Sequence, residues 1–235
     1  MFLENFFIED ESGIHFTRQQ GSTFAKQVAG DFNPLHDETS KRFCVPGDLL
    51  FSLVLHKYGI SQQMCFTFSG MVDDNKRLCL PNESDHMVIK DSAEKEYLTI
   101  QRSGDTNKDP QLIEQLIKRY VEFSGQAFPH ILVPLMKEHG VMINTLRPMV
   151  IYGSMSINMS SLNISDPSLE LSEVDLVVNG KRGKVTLAFN VLDGGDIVGR
   201  GSKSMVLSGL REYDQAAIDI LVREYSADKE AYQSC

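Results

Sequence analysis

Tryptophan is absent from the 235 residues, and cysteine is sparse and unpatterned. Cys44, Cys65, Cys79 and Cys235 contain no CxxC pair and no zinc-ligand spacing, so nothing points to a metal-framed or disulfide-framed domain. They read as reduced, partly buried thiols of a cytoplasmic protein. No apolar run approaches the eighteen or so residues of a membrane span. The opening segment Met1-Phe2-Leu3-Glu4-Asn5-Phe6-Phe7 is apolar but lacks a basic start. Glu9, Asp10 and Glu11 follow at once, which is not the pattern of a secretory signal. Positive charge is also in deficit. A formal net charge of -9 gives no general attraction to phosphate backbones, so nucleic acid is not an expected partner. The local basic clusters, Lys41-Arg42 and Lys181-Arg182 with Lys184, read as solvated turn residues.

What the chain does contain is enough apolar side chain, 42% against 23% charged, to bury a sizeable core. Its pattern comes in two rounds, each of helical segments followed by alternating strands. In the first, Phe24, Val28 and Phe32 share a helical face, and Asn33-Pro34 is expected to interrupt that helix. Pro46-Gly47 then opens a second helix, Asp48 to about Tyr58, which is apolar on most sides and therefore buried. Met64, Phe66 and Phe68 alternate with polar neighbours as a strand, and further strands are expected at Met87–Ile89 and Tyr97–Ile100. Ser103-Gly104-Asp105-Thr106-Asn107 reads as the loop that closes the round.

The second round starts with Asp109 as helix cap and Pro110 in the first helical position. Phe128-Pro129 breaks this helix, and a shorter apolar one is expected over Ile131–Lys137. Strands follow at Met155–Met159, Val174–Val178 and Val185–Val191. After the turn Asp193-Gly194-Gly195-Asp196, another runs from Ile197 to Leu207. Asp214 to about Tyr232 reads as a terminal helix. Helix-then-strands repeated twice implies an α+β fold with antiparallel sheets, divided into residues 1–107 and 108–235.

The chemistry concentrates in Ala29-Gly30-Asp31-Phe32-Asn33-Pro34-Leu35-His36-Asp37. An Asp and a His five positions apart straddle an Asn-Pro turn that can return both side chains to one side. A carboxylate and an imidazole in one cleft can hold a water and move its protons, as hydration of a double bond requires. Enolate charge on a carbonyl oxygen needs a donor as well. The N–H of Gly47, unpaired at the head of the next helix and in its positive field, can serve as one.

This segment resembles the hydratase motif of the MaoC-like, (R)-specific enoyl-CoA hydratase family, written G-D-x-N-P-[LIV]-H with a glycine at the head of the following helix. The match runs over about Phe24 to Leu55. It implies a hotdog fold, here a double hotdog of two central helices each wrapped by antiparallel sheet. It also implies Asp31 and His36 as the water-activating pair, Gly47 as oxyanion donor, and Asn33 as the residue that stabilises the turn and orients the site. Three features depart from the family: Pro46 stands where His is usual, the His36–Gly47 connection is short, and the motif lies in the N-terminal half. The second half carries no matching Asp-x4-His, and His130 has no neighbouring carboxylate, so one site per chain follows. The implied substrate is a 2-enoyl or 3-hydroxyacyl thioester of coenzyme A or acyl carrier protein, with no cofactor or metal. The chain would act as a monomer of two hotdog halves or as a homodimer. A hotdog thioesterase and a catalytically silent acyl-thioester binder remain open as alternatives.

Overall fold

The computed structural model describes residues 2–234, so Cys235 lies outside the described residues. Cys44, Cys65 and Cys79 are free thiols. The N-terminal half begins with a 3-10 turn, Phe2–Phe6, and a small hairpin of β1 (Ile8–Asp10) and β2 (Gly13–His15). Helix α1 (Arg18–Thr23) starts from a capping box between Thr17 and Gln20 and runs into a π-helical segment, Phe24–Ala29. Helix α2 (Gly47–Tyr58) precedes β3 (Ile60–Phe68), β4 (Leu78–Cys79), β5 (His86–Asp91) and β6 (Glu96–Asn107).

The C-terminal half opens with α3 (Pro110–Gly125), capped by Asp109, and α4 (Leu132–Glu138). Then come β7 (Val141–Met142), β8 (Val150–Met159), β9 (Pro167–Asn179), β10 (Arg182–Asp193), β11 (Asp196–Ser208) and β12 (Arg211–Glu212). Helix α5 (Gln215–Gln233) closes the chain. No helix among the described residues is long and apolar enough to cross a membrane.

One antiparallel sheet carries ten strands in the order β1-β2-β4-β5-β6-β3-β8-β11-β10-β9, while β7 and β12 form a separate ribbon. The two halves of this order mirror each other. Apart from the β1·β2 hairpin and the β7·β12 ribbon, four strands in each half follow one order, first, fourth, third, second: β3-β6-β5-β4 on one side and β8-β11-β10-β9 on the other. The mirror line is the antiparallel pair β3·β8, in which Cys65 faces Ser156 and Phe66 faces Met155.

Helix α2, buried on most sides, and helix α3, buried along one face, pack against the sheet. In α2, Leu49, Phe51, Leu53 and Leu55 are completely buried, as are Leu116, Ile117, Tyr120 and Val121 in α3. The Phe51 ring bridges them, 5.1 Å from Phe66 of the sheet and 4.6 Å from Tyr120. A smaller core lies between α4, α5 and strands β9–β11, centred on Leu132, Met136, Val185, Leu187 and Leu207. The architecture is a double hotdog of α+β class.

Two expectations are corrected. Ser103–Asn107 is not a loop: β6 continues to Asn107, paired with the start of β3 as Ile60↔Asn107 and Ser61↔Thr106. A bulge between Ser61 and Gln63 absorbs the irregularity, and Gly104, at φ +78, supplies the conformation it needs. The first helix ends before Asn33-Pro34. Gly30 takes the left-handed conformation (φ 65), and its N–H bonds back to the Ala25 carbonyl, a glycine stop that precedes the proline.

Candidate active site

The left-handed Gly30 turns the chain sharply, and Asp31 follows with its own N–H bonded to the Ala25 carbonyl at 2.8 Å. Asp31 Oδ1 accepts from the Asn33 N–H at 2.9 Å, and Asn33 Oδ1 accepts from the Leu35 N–H at 3.1 Å. Two consecutive Asx turns therefore fold the segment, and Pro34 enters the first position of a 3-10 turn that ends at His36. Asn33 Nδ2 reaches the Val150 carbonyl at 3.5 Å, tying the turn to the other half of the molecule.

The short connection after His36 closes on itself. The Cys44 N–H bonds the Leu35 carbonyl at 2.8 Å, and His36 Nδ1 lies 2.7 Å from the Cys44 carbonyl. A carbonyl only accepts, so Nδ1 carries a proton and Nε2 is left facing the other way. There it meets Asp31 Oδ2 at 3.8 Å. That distance is too long for a direct hydrogen bond and fits two groups that contact one common water. Both side chains line one cavity of roughly 190 Å³, together with Asn33 and Gly47.

The Asp31 side chain retains 26% exposure, but that surface faces the cavity. Burial pushes its pKa above the ordinary value. His36, the Asn33 N–H and Lys203 pull in the opposite direction. Cys44, also at the cavity wall, has its thiol pushed up to about 12 by burial, which removes it as a nucleophile at neutral pH.

Gly47 stands at the head of α2 with Pro46 at the cap. Leu49 and Leu50 donate to the Pro46 carbonyl, whereas the N–H groups of Gly47 and Asp48 have no acceptor among the described residues. The space beside its Cα is occupied. A Cβ at position 47 would lie 2.3 Å from Tyr152 Cδ1, so ring packing demands glycine here.

Sequence reasoning missed a second polar group on the same cavity. Asp48 of α2, Ser124 of α3 and Lys203 of β11 are all buried and line it. Ser124 donates to Asp48 Oδ2 and accepts from Lys203 Nζ, which stands 3.7 Å from Asp48 Oδ2. Lys203 Nζ also sits 4.3 Å from the centre of the Tyr152 ring, which stacks on Phe68 at 4.4 Å. The Tyr152 and Tyr120 hydroxyls bond each other, one donating and one accepting, and burial raises the pKa of each well above the usual tyrosine range, so both stay protonated. The signal was present: Asp48 interrupts an otherwise apolar buried helix, and Lys203 occupies the inward register of Met205 and Leu207.

Helix α5 reaches back over the motif. The Tyr225 hydroxyl donates to the Gly30 carbonyl and accepts from the Phe32 N–H, both at 3.3 Å. Phe32 packs edge-on against Tyr225 and Tyr232. The cavity continues beneath this helix along Leu132, Ile143, Val150, Met205 and Leu221, an apolar arm of the site. His130 lies outside the cavity on an exposed surface between α4 and α5.

Against known proteins, residues 1–216 match the family model described as "Protein of unknown function (DUF3581)". No curated protein matches by sequence. Solved structures resemble the chain distantly. A conserved hot dog fold protein from Alicyclobacillus acidocaldarius is 7% identical with TM-score 0.43, over 88% of this chain and 98% of its own. An acyl-CoA thioesterase II, TesB2, from Mycobacterium marinum is 8% identical with TM-score 0.37, over 72% and 90%. A protein assigned as a MaoC domain dehydratase, from Chloroflexus aurantiacus J-10-fl, is 8% identical with TM-score 0.40, over 81% and 91%.

Proposed function

We propose that this chain, which belongs to the DUF3581 family, adds water to the double bond of a trans-2-enoyl thioester or removes it from the 3-hydroxyacyl product. The observation that carries the proposal is the 3.8 Å gap between His36 Nε2 and Asp31 Oδ2, both facing one cavity. A water held there gives a proton to the pair as its oxygen bonds C3 of the acyl chain. A proton is then returned to C2, and the electrons held in between on the thioester carbonyl oxygen flow back. The Nδ1–H bond to the Cys44 carbonyl fixes the imidazole so that Nε2 does this work. The apolar arm under α5 accepts the acyl chain, and the thioester belongs to coenzyme A or an acyl carrier protein.

In this scheme the chain divides at residues 107/108, between the end of β6 and the start of α3. The N-terminal half supplies the acid–base pair, and the C-terminal half encloses the acyl arm. The test is turnover by the purified protein of crotonyl-CoA and of a longer enoyl-CoA, with loss of the enoyl chromophore and release of free thiol followed separately. Hydration predicts chromophore loss without thiol. Thiol release would show a thioesterase instead, and tight acyl-CoA binding with neither signal would show a silent binder.

A further inference from the structure

We infer that Lys203 is a third catalytic group of this site, the positive charge that meets the thioester carbonyl oxygen. The inference rests on the thioester reading given above and adds to it a residue far from the motif in sequence.

Lys203 is 5% exposed, in the middle of β11, and lines the same cavity as Asp31 and His36. An ammonium has three N–H donors. One goes to Ser124 Oγ. Asp48 Oδ2, at 3.7 Å, is near enough to pair with the charge but beyond hydrogen-bond reach, and the Tyr152 ring covers one flank. Donors remain without a protein acceptor, and a buried charge left short of hydrogen bonds is costly. An oxygen atom entering the cavity would satisfy them.

The four elements that meet here are α2, α3, β8 and β11, which brings both halves of the molecule to one point. Asp48 and Lys203 pair at 3.7 Å with Ser124 between them, which anchors the ammonium from one side. Asp48 sits in the first turn of α2, where the positive end of the helix offsets part of its negative charge, and Ser124 occupies its Oδ2. The N–H donors of Lys203 that Ser124 does not take can act on a carbonyl oxygen whose charge grows as water adds at C3. A hydrogen bond from a charged donor is roughly twice as strong as one from a neutral N–H. Preorganised donors of this kind act where water is excluded and need no reorientation during the reaction. Lys203 thus supplies what the Gly47 N–H alone would supply weakly, beside a Tyr152 ring that already fills the flank of Gly47.

The experiment uses 4-dimethylaminocinnamoyl-CoA, a conjugated thioester whose absorption moves to the red when its carbonyl is polarised. It is bound to the wild-type protein, D31N, K203M, K203R and the double variant D48N/K203M. The wild type and D31N are expected to bind the probe red-shifted. K203M and the double variant should bind it with most of the shift gone, and K203R should keep part. In parallel, crotonyl-CoA hydration by K203M should fall by about 10²–10³. The double variant removes both charges of the buried pair and carries the test should K203M fail to fold. A full shift in the variants lacking Lys203, or a bound but unshifted probe in the wild type, overturns the assignment. A shift in the wild type without turnover of any enoyl chain sinks hydration and leaves Lys203 in place. No binding to the wild type sinks both.

Discussion

Asp31 is held where ionisation is disfavoured, and two consequences follow in opposite directions. Burial is the largest cause of its raised pKa. Ionised Asp31 is needed for the pair to take the proton of water, so its raised pKa places the loss of kcat/KM on acidification above the ordinary value of 3.8. Stability has the converse sign. With a raised folded-state pKa, the native state favours the proton, and that contribution is full below the unfolded pKa and lost as pH rises through the folded one. Asp31→Asn, uncharged throughout, is therefore expected to raise Tm near neutral pH, with the gain shrinking as pH approaches 4. Thermal melts of both proteins across that range check it, and a gain that grew on acidification would contradict it. Such a gain in stability at the expense of activity is usual for functional sites.

At this scale, the residues legible in the sequence were those packed into one short motif. Asp31, Asn33 and His36 are set by local turns, and local turns are written locally. Asp48 and Lys203 each break an apolar pattern in the sequence, but that they meet Ser124 at one point follows only from how the sheet and the two helices pack.

Among the elements, α2 and β11 carry the buried ion pair Asp48–Lys203. Removing one partner of a buried ion pair commonly costs about 3–5 kcal/mol, because the other charge is stranded. Lys203→Met is expected to lose stability on that scale in urea unfolding, and Asp48→Asn/Lys203→Met is expected to recover much of it. Equal losses in the single and double variants would mean the pair is not coupled.

Close packing sets a second constraint. A Cβ at Gly125 of α3 would fall 1.8 Å from the Ala29 carbonyl oxygen, on the π-helical segment that leads into Asp31. Gly125→Ala should cost about 1–3 kcal/mol or more, since backbone must move. It should also impair activity by displacing the motif. Unchanged stability and turnover would count against that contact. Gly47→Ala is expected to disturb Tyr152 along with any oxyanion contact, because the new methyl meets the ring.

Helices α2, α3 and α5 were readable from caps and apolar spacing, and β3, β5, β6, β8, β9, β10 and β11 from their apolar runs, whereas the short strands β1, β2, β4, β7 and β12 were not. The end of β6 was not, because Ser103–Asn107 has turn composition. Pairing with β3 across a bulge overrides that composition.

The whole molecule is a repeat whose halves share one core. The larger hydrophobic cluster takes α2 and β3 from one half and α3, β8 and β10 from the other, and β3 and β8 join the sheet at its centre. The two rounds of helix and strands were legible, but the shared core was not, since it depends on how the rounds dock. Separately produced fragments 1–107 and 108–235 are accordingly expected to lack cooperative unfolding transitions alone and to regain one on co-expression. Calorimetry of each would show it, and an independently folded half would contradict it.

At the same scale stands the central claim, that one site, built from both halves around Asp31 and His36, hydrates an enoyl thioester. It is tested most directly by kcat/KM for crotonyl-CoA hydration in the wild type, Asp31→Asn, His36→Ala and the double variant. Each single change should lower the rate by about 10²–10⁴ with the fold intact, and the double should fall little further, because both groups act on one water. Undiminished hydration in either single variant, or losses that multiply in the double, would contradict it.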